Sequence, residues 1–252
     1  LTVLKGKLKV LLVKRKDHPF IHDWAMPGGF VNFDEDLDTA MKRELEEETN
    51  LFDSTYFRQL YTFGNADRDP RTRVITTVYL SMTPAENIKM TSAGDDAMDT
   101  GWFTIQKITT ATDGYERKSV LMLDEEEKGI HLRYEIYDTA CDNYVQTRSK
   151  LLDSSNAKLA ADHIKAINMA IDVVRNRAAS TGIMFNLLPK ECTLREIQEV
   201  YEAIVNHPVD TGNFRRDIKK MLVATGNTTI VNGRKVATYS FNPLLPFVKE
   251  TL

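Results

Sequence analysis

The sequence predicts an α/β domain over residues 1–182, followed by a small helical domain with a terminal hairpin over residues 183–252. Three observations lead there. Short runs with strand periodicity are interleaved with two helix-periodic stretches through the first part of the chain. Ser180-Thr181-Gly182 then breaks the second of those helices. Beyond the break the order changes to helix, turn, basic helix, hairpin.

At 252 residues the chain is long for one domain and comfortable for two. With 42% hydrophobic and 27% charged residues it can build cores and remain soluble, and a net charge of −3 names no partner by itself. Cys141 and Cys192 do not make a disulfide framework, and without a CxxC or a His/Cys ligand pair neither zinc nor redox chemistry is suggested. No apolar run reaches the length of a membrane span and no signal-peptide pattern opens the chain, so a cytoplasmic protein is expected, with no membrane partner. Leu1 is not an initiator Met, so further residues are expected upstream.

Residues 1–15 read as two short strands around Lys5-Gly6-Lys7, with Val10–Val13 apolar enough to be central. Asp23–Phe30, DWAMPGGF, reads as a turn; Trp24 is expected in the core. The next stretch, Gly29–Leu51, organises the domain. Asp36 is an N-cap candidate, and Leu37, Ala40, Met41 and Leu45 recur at helical spacing, which predicts one buried face. Glu44, Glu47 and Glu48 stand at i, i+3 and i+4 and project from a single face. An ELEEET run alone is ordinarily surface charge. Three carboxylates so close nevertheless repel unless a cation sits among them, and hard oxygen ligands suit Mg²⁺ or Mn²⁺.

The spacing Gly29, Glu35, Arg43-Glu44-Leu45, Glu47-Glu48, Leu51 resembles the Nudix hydrolase signature at every fixed place but one. The departure is Asn50, where the family has glycine; Asn tolerates the left-handed conformation a helix end requires, so the fold is expected to be unaffected. The resemblance implies an α/β/α sandwich with a mixed sheet and metal-assisted attack of water on a diphosphate. It implies Glu44, Glu47 and Glu48 as metal ligands, with Glu35 supporting the metal shell and Arg43 orienting a carboxylate. One of these glutamates, or a loop carboxylate, would be the base. Gly28 and Gly29, in the W-x-x-P-G-G-F segment that precedes such boxes, are expected close to the substrate.

Alternation from Val74 to Ser81 predicts a strand. The loop before it, Asp67-Arg68-Asp69-Pro70-Arg71-Thr72-Arg73, reads equally as a charged turn or as a phosphate grip. It resembles the R-D-P-R segment of Nudix proteins that handle ADP-ribose, which implies Arg68, Arg71 and Arg73 as substrate-binding residues. Gly101-Trp102-Phe103 looks like a late strand. Residues 113–153 suggest strands at Lys118–Leu123 and Ile130–Tyr137, either a hairpin insertion or a continuation of the sheet. Asn156–Ala179 is expected to be a helix whose stripe of Leu159, Ile164, Ile167, Ile171 and Val174 covers the sheet. Asp162-His163 resembles a pair in related Nudix proteins; His163 is expected to pack or cap rather than catalyse.

In the last part, Thr193 with Glu196 forms a capping box for a helix over Leu194–Val205. Asn213–Leu222 predicts a second, basic helix, and Ala224–Phe241 a hairpin with turn signals at Gly226-Asn227 and Asn232-Gly233. That is the order of a winged helix-turn-helix. Arg215, Arg216, Lys219, Lys220, Arg234 and Lys235 face Asp217 alone, a local positive surface that suggests phosphate contact. The stretch is similar to the C-terminal domain of the Nudix-related transcriptional regulators of NAD metabolism. If Asn213–Leu222 is a recognition helix, Asn213 and the six basic residues are expected to meet double-stranded DNA, and because one winged helix buries a modest surface a homodimer is expected. Two functions, which do not exclude each other, are therefore expected: first a Mg-dependent pyrophosphohydrolase of ADP-ribose or a related nucleoside diphosphate derivative with a DNA-binding tail, and as the alternative a regulator whose ADP-ribose pocket senses with little turnover.

Overall fold

The computed structural model describes residues 1–49, 56–88, 97–142 and 144–244. Strands β1 (Thr2–Leu4) and β2 (Lys7–Arg15) turn at Lys5-Gly6, both at positive φ. The short β3 (Trp24–Ala25) pairs with the end of β2, and α1 (Leu37–Thr49) follows. Strands β4 (Tyr56–Phe63) and β5 (Thr76–Met82) form a separate ribbon. Then come β6 (Ala97–Asp113), β7 (Glu116–Glu125), β8 (Ile130–Cys141) and β9 (Tyr144–Leu151). The main sheet has the order β1-β2-β6-β7-β8-β9, with β3 on β2. Its described ladders are antiparallel, so the parallel pairing expected of a mixed sheet is confined to one isolated bridge, Trp24 to Leu159.

Residues 113–153 continue the sheet. Leu121 and Leu123 of β7 and Leu132, Tyr134 and Ile136 of β8 alternate inward, as period-2 side chains on a half-covered sheet must. Helix α2 (His163–Ala178) packs on that face with Ile164, Ile167, Ile171 and Val174 buried. It starts seven residues later than the periodicity predicts, for a reason in the backbone. Trp24 donates its N–H to Lys158 O (3.0 Å), Ala160 donates to Trp24 O (2.8 Å), and Leu159 N–H meets the Tyr134 hydroxyl (2.8 Å). With those groups engaged by β3 and β8, residues 158–160 stay outside the helix, and Leu159 is buried from there.

Thr193 caps α3 (Leu194–Val205) with both bonds of the capping box present. The basic helix α4 (Thr211–Ile218) begins earlier than expected because Asp210 caps it, accepting from Asn213 N–H at 2.8 Å. It also ends earlier: Lys219–Met221 form a 3₁₀ turn, so Lys219 and Lys220 lie beyond the helix. Strands β10 (Leu222–Val231) and β11 (Arg234–Phe241) make the hairpin, turning at Asn232-Gly233 where both φ values are positive. Gly226-Asn227 is not a turn. It falls where the ladder slips between Ala224 and Thr228, and Gly226 at φ +79° supplies the irregular backbone.

One core runs through the whole arrangement. It passes from Leu12, Phe103 and Ile136 through Ile171 and Val174 to Met184, Ile197, Ile204, Phe214 and Met221. No helix among the described residues is long and apolar enough to cross a membrane.

Candidate functional site

Asp36 caps α1 through Thr39 N–H at 2.8 Å, as the sequence predicts. The helix packs more loosely than predicted. Of its apolar face only Ala40 is buried, whereas Leu37, Met41 and Leu45 line a cavity of about 470 Å³. That volume is within the range of small-molecule sites. Gly28, Gly29, Arg68, Arg71, Tyr79 and His163 also line it, and Arg73 does not.

Arg43 is the hub of the acidic face. Its guanidinium forks onto Glu35 at 2.6 and 3.0 Å and also reaches Glu44 at 2.8 Å, Glu47 at 3.0 Å and the Phe30 carbonyl at 3.1 Å. Glu35 further accepts from Asn32 N–H, and these two partners, Arg43 first, hold its carboxyl down at about 2. One positive charge thus meets three carboxylates, and a net negative charge remains on this face. Among the described residues no three His, Cys, Asp or Glu side chains are gathered closely enough to hold one metal ion. The donor set still fits a hard cation: it is all carboxylate oxygen, and Glu44 and Glu48 both face the glycine backbone. Gly28 N–H donates to Glu48 Oε2 at 2.8 Å. A Cβ on Gly29 would run into the Glu44 carboxylate, so any side chain there would displace Glu44. Asn50 and Leu51 lie outside the described residues.

The arginine loop is more internally paired than the sequence suggests. Arg68 is nearly buried and forks onto Asp162 at 2.8 and 3.2 Å, with Thr76 as a further acceptor. Arg71 forks onto Asp69 at 2.9 and 3.1 Å and remains half exposed; that pairing holds Asp69 at about 2. Arg73 binds the Gly64 carbonyl. Three further residues escaped the sequence reading as site residues: Asp162, His163 and Tyr79, whose hydroxyl donates to Asp38 at 2.7 Å. Their partners are 41 to 137 residues away: the Asp162-His163 pair is visible in the sequence only as a resemblance with no partner in view, and nothing local marks Tyr79.

On the C-terminal part, Phe214 and Ile218 are buried, and Phe214 packs against Tyr201 with ring centroids 5.2 Å apart. Asn213, Arg215, Arg216, Lys219, Lys220, Arg234 and Lys235 all remain exposed, and Arg216 touches Asp217 at 3.3 Å. Glu202 accepts from Val209 N–H at 3.0 Å and from Gln198 at 2.9 Å, and Gln198 reaches Thr211, so the turn is braced against α3.

Residues 1–123 match the family model of the NUDIX domain, and residues 184–241 that of the NrtR DNA-binding winged helix domain. The chain therefore joins a Nudix domain to a winged helix domain of the NrtR type. It is a homologue of the ADPR responsive transcriptional repressor NtrR of Acinetobacter baylyi, at 26% identity over 95% of this chain and 78% of that protein. An ADP-ribose pyrophosphatase of Methanocaldococcus jannaschii is 36% identical over 46% of this chain and 66% of its own. Among solved structures, a MutT/nudix family protein from Enterococcus faecalis superposes with TM-score 0.68 at 27% identity, covering 94% of this chain and 80% of that one. NrtR of Shewanella oneidensis complexed with a 27mer DNA gives 0.66 at 25%, covering 96% and 90%.

Proposed function

We propose that this chain is a DNA-binding regulator whose Nudix domain, residues 1–182, takes ADP-ribose or a related nucleoside diphosphate derivative and hydrolyses it with a divalent cation. Residues 183–252 form the DNA-binding domain. The observation that carries the reading is the folding of Glu44 and Glu48 onto Gly28–Gly29 in the wall of the cavity that Arg71 also lines. Glu44, Glu47 and Glu48 would hold Mg²⁺ or Mn²⁺, which supplies a polarised phosphoryl oxygen and a more acidic water. Arg43 keeps its fork on Glu35 and yields Glu44 and Glu47 to the cation. Gly28 and Gly29 admit the diphosphate close to the backbone, and Arg71 exchanges Asp69 for phosphate oxygens, with Arg68 and Arg73 shaping its loop.

On the DNA side, α4 lies in the major groove with Asn213, Arg215 and Arg216, while Lys219, Lys220, Arg234 and Lys235 meet backbone phosphates. One such module buries little surface, so a homodimer presents two to a near-palindromic site.

A second reading, a sensor with little turnover, has its own support: Arg43 already pairs with Glu44 and Glu47, and the A. baylyi relative is named as a repressor. A nucleotide screen by mass spectrometry with and without Mg²⁺, paired with a mobility-shift screen of genomic fragments, separates the two. Mg²⁺-dependent loss of ADP-ribose is expected. Retention of ADP-ribose intact, with binding, leaves the sensor. No binding of nucleotide or DNA overturns both.

A further inference from the structure

His163 and Asp162 stand side by side at the start of α2, and each holds a different loop of the cavity. The His163 ring is partly buried in the cavity wall, and its Nδ1 accepts the Met26 N–H at 3.0 Å, 137 residues away in sequence. A ring that accepts at Nδ1 carries its proton on Nε2 and is neutral. Met26 is followed by Pro27, which has no N–H, and by Gly28, whose N–H orients Glu48; Gly29 then packs on Glu44. The bond to His163 therefore fixes the point from which the glycine loop leaves β3. Asp162 acts on the other of the two loops, through Arg68, which also lines the cavity. Its two oxygens take the Arg68 fork at 2.8 and 3.2 Å, and Arg68 also binds Thr76 at the start of β5, so the arginine loop is tied down at its beginning and end. One turn of one helix thus sets the separation of the two loops between which a diphosphate would lie.

We propose that His163 and Asp162 are positioning residues for the nucleotide, holding the glycine loop and the arginine loop at the distance the ligand spans. This rests on the nucleotide reading of the cavity. Neither residue touches the reacting atoms; each acts through a loop.

Three variants of the full chain test it. His163→Phe fills the ring's volume without an acceptor, His163→Asn restores an acceptor near the Nδ1 position, and Asp162→Asn keeps shape but loses charge. Three measurements are made on each: amide exchange over residues 24–30, calorimetric titration with ADP-ribose without metal, and retention of DNA without nucleotide. His163→Phe is expected to speed exchange at Met26 and weaken ADP-ribose by about tenfold, because the freed glycine loop must then be ordered on binding. His163→Asn is expected to recover most of both. Asp162→Asn is expected to weaken ADP-ribose by about tenfold with Met26 exchange unchanged, since its bond is to the other loop. DNA retention stays as in the unmodified protein throughout. Unchanged ADP-ribose affinity in His163→Phe and Asp162→Asn overturns the proposal, as does parallel loss of nucleotide and DNA binding, which marks a merely structural role. If the unmodified protein takes no ADP-ribose, the functional reading falls. Unaltered Met26 exchange in His163→Phe then overturns the positioning role separately.

Discussion

At Arg43 a single guanidinium pairs with Glu35, Glu44 and Glu47 and relieves part of the repulsion among them. Glu47 is the most exposed of the glutamates Arg43 holds, so its charge contributes little to the metal-free fold. Glu47→Gln is therefore expected to lower ADP-ribose hydrolysis by orders of magnitude while leaving the Tm measured in chelator nearly unchanged. Wild-type turnover in that variant would remove Glu47 from the ligand set. His163 gives a second expectation at this scale. Burial pushes its pKa from 6.5 down to about 4, with Arg68 and Arg15 adding to the shift and Asp162 opposing it. The folded state therefore binds fewer protons than the unfolded chain between those values, and stability falls as pH drops through that window. The loss is on the order of 3 kcal/mol, from about 1.4 kcal/mol per pKa unit. A Tm series from pH 7 to 4 is expected to fall more steeply for the unmodified protein than for His163→Asn.

Among the elements, α4 shows how a short helix is fixed by its neighbours. Asp210 sets its start, Phe214 and Ile218 anchor its inner side, and the brace of Gln198 and Glu202 sets the turn before it. Arg215 and Arg216 take no part in that anchoring, so replacing both with Ala is expected to cost little stability. It is expected to abolish sequence-specific retention of DNA in a mobility-shift assay at moderate salt while leaving ADP-ribose chemistry intact. Retention unaltered by the double change would show that α4 is not the element that reads DNA.

The sequence made these elements unevenly legible. The box helix, the capping box at Thr193 and the Asn232-Gly233 turn could be read because their determinants lie within a few residues of one another. The start of α2 could not, because Trp24 captures the backbone of residues 158–160 from far upstream. Gly226 suggested a turn because a positive-φ residue serves a bulge as well as a hairpin tip. The same limit explains the site. The box carboxylates follow from helical spacing, whereas the Asp162–Arg68 and His163–Met26 contacts exist only once β5, β3 and α2 have converged.

Across the whole molecule, α2 connects the cavity of the first domain to the winged helix part. Its first turn lines the cavity, and near its other end Arg175 donates Nε–H to the Ile204 carbonyl at 2.9 Å, in the last turn of α3, and Nη1–H to Lys107 O at 3.3 Å. A cation at a helix C-terminus satisfies a carbonyl that has no partner within the helix and complements its dipole. The middle of α2 is held in register by charge. Lys107 pairs with Asp172 at 2.8 Å, and Arg117 bridges Asp172 and Asp138. Burial pushes Asp138 up, but the bonds from Arg117 and Thr147 and the charge of Lys107 outweigh it, so its pKa lies below the ordinary carboxylate value. A nucleotide that shifts the first turn of α2 would thus shift Arg175 against α3, and α3 braces the turn before α4. Arg175→Met keeps most of the aliphatic stem but removes both donors. The variant is expected to lose about 1–3 kcal/mol of stability from the orphaned carbonyls, read as a lowered Tm. Binding of nucleotide alone and of DNA alone is expected to stay within a few-fold of the unmodified protein. The ratio of DNA affinities with and without saturating ADP-ribose, measured by anisotropy on a retained fragment, is expected to move toward one, and by linkage the effect of DNA on ADP-ribose affinity must shrink equally. A ratio that survives Arg175→Met would mean that the two domains communicate through another contact.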